Sequence, residues 1–307
     1  MSFNWLFSLI VGGFILFFAL YAASQFVKTS QKTTNTEIAA SILSLFDPLE
    51  TGVASGKSSQ IDFVKQSQLV FDCSPNQNIF GEQRVRFFEK TFGDAYGEAG
   101  ERISIKDKYV FVEDSIQGKS LYYFSKPYFA GFKVADLLML YSDEQTYCVY
   151  DANEDFMSEV SGLNLKQIIF MNATTRCEGI RVCFGSNQKN CAISVFENEG
   201  YVLKENKKLY YTDNLLFGAI FSSPQTYECN VQRLKHRFDA LAQIYLGKIE
   251  VIQRSSCSVT LGPILLGLVD FQIDSSKDLS AFQEKVKEMD AINKRAKDGC
   301  KVYYDVG

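Results

Sequence analysis

FNWLFSLIVGGFILFFALYAASQFV, Phe3 to Val27, contains no Asp, Glu, Lys or Arg. As a helix rising ~1.5 Å per residue it spans roughly 37 Å, enough to cross a hydrocarbon core of about 30 Å with some tilt. Trp5 and Tyr21 lie near its ends, where amphipathic rings favour the membrane interface. Gly12 and Gly13 leave a smooth patch on which a second helix could pack closely. A buried helix of a soluble protein rarely runs this far without a charge. A cleaved signal peptide is the stronger rival, since ALYAAS places small residues near the end of the run, but no positively charged n-region precedes it. The reading favoured is an uncleaved anchor, with residues 1–32 as transmembrane helix and junction. Everything after it must then supply a core of its own.

The material for that core is ample. The chain has 307 residues, 46% of them hydrophobic, with 26 Phe and 16 Tyr. Its net charge is −4, and all of that imbalance falls after residue 27. An acidic domain without a clustered basic face is a poor match for nucleic acid, whose phosphates need Lys and Arg.

Directly behind the anchor come Lys28 and Lys32, and by the positive-inside rule they place the large domain in the cytoplasm. The cysteines argue for the opposite side. Cys73, Cys148, Cys177, Cys183, Cys191, Cys229, Cys257 and Cys300 are even in number and all follow the anchor, the pattern of an oxidised external domain. Asn172-Ala173-Thr174 adds a glycosylation sequon. Two lysines are a thin bias against a long domain, so the expectation is a single-pass protein of the cell membrane with its large domain outside. A cytoplasmic orientation is the runner-up. It would turn the cysteines into candidates for zinc, although no C-x-x-C knuckle is present.

Working outward, residues 33–59 read as an amphipathic extension of the anchor and a loop. Ile38, Ile42, Leu45 and Phe46 fall at helical spacing, and Thr33 to Thr36 mark a softer junction. The loop contains GVASGKSS, Gly52 to Ser59, which imitates a phosphate-binding loop. A Walker loop needs its first glycine at position 51, which is Thr51, and it must follow a strand. Here it follows a helix, so the stretch is a small-residue loop.

Residues 60–307 read as one α+β domain, mostly antiparallel β with two C-terminal helices, with a subdivision near 155–165 left open. SQLVFDC, ERISIKDKYVFVED, SLYYFSKPYF and TYCVYD alternate like strands. FKVADLLMLYS fits a strand or a short helix, and residues 163–221 continue the β pattern. IRVCFGSNQKNCAISVF reads as a hairpin that sets Cys183 opposite Cys191, because opposed residues on antiparallel strands come within disulfide reach. This is the pairing expected first. The other pairings are not deducible from sequence. Ser223 and Pro224 mark a helix start as N-cap and first helical residue. A second helix runs from about Lys277 to Asp298, with Gly299 as its C-terminal cap. LGPILLGLVDF, between them, reads as a buried strand.

Signals for chemistry are sparse. The single histidine, His236, sits in no catalytic motif, and there is no G-x-S-x-G. Carboxylates such as Asp270 and Asp274 are not brought together as a pair by any pattern. Asp151, Asn153 and Asp155 fill the first ligand positions of a calcium loop, but Phe156 stands where glycine is needed and Gly162 where glutamate is needed. An acidic surface loop is the preferred reading. No cofactor is expected.

An apolar N-terminal helix, an amphipathic continuation and then a β-rich external domain together resemble type IV pilins over about residues 3–46. EIAASILSLFDPLETGVASGKSS followed by a strand is similar to membrane-anchored surface proteins of small-genome archaea. The resemblance implies an envelope protein that contacts the lipid bilayer, other envelope proteins or its own copies through the N-terminal helix. It carries over no functional residue, and no glutamate lies near the start of the apolar helix. The expected role is binding or structural assembly without catalysis. A pilin-like filament subunit and a membrane-tethered enzyme are the alternatives.

Overall fold

The computed structural model describes residues 3–44, 58–76, 79–91, 93, 95–171, 176–185, 190–254, 257, 259–297 and 299–304. The chain is α+β. Helix α1 (Phe3–Ser44) is unbroken for 42 residues, about 63 Å of helix. Thr33 to Thr36 do not soften it. The hydroxyls of Thr29, Thr33, Thr34 and Thr36 each donate to a carbonyl four residues back, so residues with a taste for turns are satisfied inside the helix.

The first sheet has the order β3-β2-β1-β5-β6-β4. Its strands are β1 (Ser58–Ser74), β2 (Glu82–Glu89), β3 (Ile103–Ile105), β4 (Tyr109–Phe111), β5 (Ser115–Ala130) and β6 (Phe132–Ser142). All its pairs are antiparallel except β4 with β6. FKVADLLMLYS is thus a strand. It lies inside the sheet, between β5 and the edge strand β4, and is buried on both faces, which explains why its apolar run shows no alternation. Phe124, Leu137 and Met139 face one core, while Leu121, Tyr123, Leu138 and Leu140 face another. The second of these cores is closed by Ala39 and Ile42 at the end of α1.

The second sheet has the order β12-β11-β10-β9-β7-β8. It consists of β7 (Tyr147–Tyr150), β8 (Ile168–Met171), β9 (Ile180–Phe184), β10 (Ile193–Phe196), β11 (Tyr201–Lys204) and β12 (Lys207–Tyr210). The domain is mostly antiparallel as expected, but this sheet is mixed. The pairs β7–β8, β7–β9 and β9–β10 are parallel. The supposed hairpin at residues 180–196 is therefore two parallel strands, Val182 opposite Ile193 and Cys183 opposite Ser194. Turn-forming residues between two apolar runs do not say which way the second run travels.

Further helices fill the space between and beside the sheets. They are α2 (Glu154–Gly162), α3 (Leu215–Phe221), α4 (Pro224–Arg254), α5 (Gly262–Val269) and α6 (Leu279–Arg295). Two of these lie where the sequence suggested β structure, and α2 lies where it suggested an acidic loop. LGPILLGLVDF is helix α5, started by Pro263 in its first turn, with Leu265 and Leu268 buried. Short apolar runs do not separate helix from strand by periodicity alone. Helix α3 is a wedge between the sheets. Its Phe221 meets Phe124 and Tyr141 of the first sheet and Tyr147 of the second. Gly218 allows the close approach, since a Cβ there would lie 2.6 Å from the Phe111 ring.

Candidate functional site

Three regions gather the residues that the sequence singles out. The first is the junction between α1 and the domain. Before Lys28 every described side chain of the helix is exposed, with Trp5 58% and Tyr21 57% exposed and open space beside Gly12 and Gly13. It is long and apolar enough to cross a membrane, and a surface this apolar is not normally left in water. From Lys28 onward the helix belongs to the domain. Lys28 pairs with Glu98 at 3.8 Å and Lys32 with Glu101 at 2.5 Å. Asn35, itself buried, donates to the Glu98 carbonyl at 2.7 Å, and the Glu101 N–H donates to Thr36 Oγ1 at 2.8 Å. Gly100 makes this collar fit. A Cβ at that position would stand 2.8 Å from the Asn35 carbonyl carbon and the Thr36 nitrogen. The two lysines read as an orientation signal are thus also structural partners of an acidic loop.

The second region is the set of disulfides. The structure joins Cys183 to Cys191, Cys148 to Cys177, Cys73 to Cys229 and Cys257 to Cys300, and no cysteine is free. Cys183–Cys191 closes the chain as it leaves β9 and returns toward β10. Cys148–Cys177 lies beside it, with Tyr150 and Met171 packed against both, and the Arg181 guanidinium sits 4.8 Å over the Tyr150 ring. Cys73–Cys229 ties the end of β1 to the first turns of α4. Cys257–Cys300 ties the segment after α4 to the segment after α6. Gly299 has φ +89° but does not cap a helix. Helix α6 ends at Arg295, and Gly299 belongs to the turn that delivers Cys300, whose N–H donates to the Lys297 carbonyl.

The third region is a groove of about 680 Å³ between β12 and the start of α4, with Cys73–Cys229 in its wall. Lys207, Lys208, Tyr210, Gln225, Glu228 and Lys277 line it. Glu228 is already engaged. Its two oxygens accept from the Ser276 N–H and hydroxyl, both at 2.6 Å. Ser223 caps α4 as expected, accepting from the Thr226 N–H at 3.1 Å, while its own hydroxyl donates to Asp114.

The remaining sequence candidates have structural duties. Asn153 caps α2, its Oδ1 accepting from the Phe156 N–H at 2.7 Å, and its amide donates to Glu197. Asp155 sits in the first turn of that helix, where a negative charge suits the dipole. Asp151 takes a left-handed φ of 53° at the turn before it. The carboxylate spacing that imitates a calcium loop is therefore a helix start. His236 is half-buried on α4 near the Lys235–Asp239 pair. Burial pushes the Asp239 carboxyl above its usual range, against the pull of Lys235. Asp270 ends α5, and the Asp274 carbonyl accepts from Gln232. Asn172 lies outside the described residues.

Sequence reasoning missed a buried cation. Arg233 is fully buried and donates to the carbonyls of Phe80, Ile105 and Lys106 and to Asn230 Oδ1. It also lies 4.9 Å over the Tyr109 ring. Desolvation pulls its pKa down to about 10, while Tyr109, Asp107 and Glu82 hold it up. It fastens α4 to the first sheet. Lys204 does the same for β11, reaching Glu113 at 2.5 Å and the Ile220 and Ser222 carbonyls at 3.0 and 2.8 Å.

Set against known proteins, the chain matches no family model, no curated protein and no solved structure.

Proposed function

We propose that this is a single-pass membrane-anchored surface protein whose disulfide-bonded external domain binds or assembles with other envelope components and performs no catalysis. The observation that carries the reading is the division of α1. One uninterrupted helix has an apolar first part, exposed at every described side chain, and a second part built into the domain core. Such a helix suits a domain held stiffly at a membrane. The external side is supported by the pairing of all eight cysteines, since disulfides persist in oxidising compartments. A binding rather than catalytic role is supported by the polar side chains. Three of the buried ones, Arg233, Lys204 and Asn230, are used in fastening elements together.

The same division of α1 favours a second reading, a pilin-like filament subunit with the apolar helices packed together in a fibre. Negative-stain microscopy of the full chain separates the two, since the anchor reading expects dispersed particles in detergent and no fibres.

The test of sidedness is thiol counting on intact cells with a membrane-impermeant maleimide, before and after reduction. Labelling that appears only after reduction supports the external reading. Thiols that label without reductant, and only after lysis, would overturn it and make the cysteines candidates for zinc.

A further inference from the structure

We propose that the groove between β12 and α4 takes an extended acidic peptide segment, held by main-chain hydrogen bonds at Lys208 on the outer edge of β12. This names a partner class for the binding role proposed above and rests on that reading.

The first ground is charge. Lys207, Lys208 and Lys277 all line the groove and are exposed. Among the described residues none of the three is ion-paired, although Lys208 Nζ lies 4.3 Å over the Tyr201 ring. The one acid in the lining, Glu228, is held by Ser276. In a chain of net charge −4, this is a local positive site walled by a disulfide.

The second ground is the backbone. Strand β12 is the outermost strand of its sheet. Glu205 and Asn206 both have positive φ, 50° and 60°, so the β11–β12 hairpin turns through a two-residue loop and Lys204 faces Lys207 as a hydrogen-bonded pair. In an antiparallel ladder the next residue on that strand turns its N–H and C=O away from its neighbour, and so does every second residue after it. Tyr210 shows this direction. Its N–H donates to Ser276 Oγ at 3.0 Å and its carbonyl accepts from the Tyr227 hydroxyl at 2.6 Å. Those two side chains close the edge at Tyr210. Lys208, two residues earlier, turns the same way and opens onto the groove. An unpaired edge beside a cleft is the geometry that recruits an extended peptide through main-chain hydrogen bonds. A phosphate or an anionic glycan would use the lysines but not the edge, and for that reason the geometry favours a peptide.

The test uses the full chain in nanodiscs and a labelled hexapeptide of alternating Glu and Val, read by fluorescence anisotropy. Binding is expected to weaken at least about tenfold in a Lys207→Glu, Lys277→Glu double variant. Lys208→Pro removes the N–H at a site where an edge strand tolerates proline, and a loss of similar size is expected there. Lys208→Thr, which keeps the N–H, should lose no more than about threefold. Methylating the peptide's backbone nitrogens should abolish binding to the unaltered protein, a result that needs no variant to fold. Failure of the acidic peptide to bind, or binding indifferent to N-methylation and displaced equally by inorganic polyphosphate, would overturn the proposal. Because nanodiscs present both sides of the bilayer, this result stands apart from the maleimide test of sidedness.

Discussion

Tyr147 carries its hydroxyl into the core between the two sheets without a hydrogen-bond partner among the described residues, and its side chain is fully buried. Burying an unpaired hydroxyl costs about 1–3 kcal/mol. Tyr147→Phe keeps the ring against Phe221 and removes that cost. It should raise stability by about 1 kcal/mol, which thermal melting would show as a rise of ~2–4 °C for a domain of this size. A fall in Tm would mean that the hydroxyl has a partner. Burial also pushes the phenols of Tyr128, Tyr141, Tyr147 and Tyr227 well above their usual range, and that of Tyr211 to about 12. Above pH 10 an unfolded chain loses these protons while the folded chain keeps them. Stability present below pH 10 is therefore lost as pH rises from 10 toward 12, at up to ~1.4 kcal/mol per pH unit for each tyrosine. Tyrosinate absorbance should rise in two steps, the exposed phenols first and the buried ones together with loss of the folded signal. A single smooth titration would contradict the packing described here. At this scale the sequence was legible where partners are near in the chain. Ser223 and Pro224 announce α4 because a cap acts over three residues. Arg233 announces nothing, because its carbonyl partners are more than a hundred residues away.

Among the elements, the sequence showed which segments are apolar more clearly than which way they run. In the first sheet β1, β3, β4 and β5 are visible from their alternation. Helix α5 was hidden in an unbroken apolar run, and the direction of β10 was hidden because eight connecting residues suffice here to bring the chain back parallel to β9. The collar around α1 was also invisible, since nothing in the segment Gly97 to Arg102 points to a contact with residues more than sixty positions earlier. Yet that loop fixes how the domain meets its helix. Gly100→Ala places a methyl group against the backbone of Asn35 and Thr36, an overpacking that costs about 1–3 kcal/mol. Hydrogen exchange should quicken in Asn35 to Leu43 and in the loop, while the second sheet keeps its protection. Unchanged exchange at Asn35 would mean that the loop yields freely and does not hold the helix.

The whole molecule depends on two parts of α1 that look continuous but differ in surroundings, one exposed and one packed on the domain. Among residues 3–27 no described side chain is buried in the domain. Residues 28–44 bury Asn35, Ala39 and Ile42 and pack Ile38 and Leu43 against the core they share with Leu69, Phe71, Val85 and Phe87. A chain beginning at Lys28 should therefore fold with all four disulfides and stay monomeric and dispersed without detergent. A chain beginning after Ser44 loses the lid of that core. Fully burying a large aliphatic side chain is worth about 1.5–3 kcal/mol, so removing this lid costs several. The stripped sheet also exposes a contiguous apolar face, which favours association. Size-exclusion chromatography and melting of the two truncations distinguish the halves. The shorter cut should preserve Tm within a degree or two, while the longer one should lower it sharply or yield aggregates. If both truncations aggregated alike, residues 3–27 would be contributing to the folded domain, and α1 would no longer divide into an anchor and a structural helix.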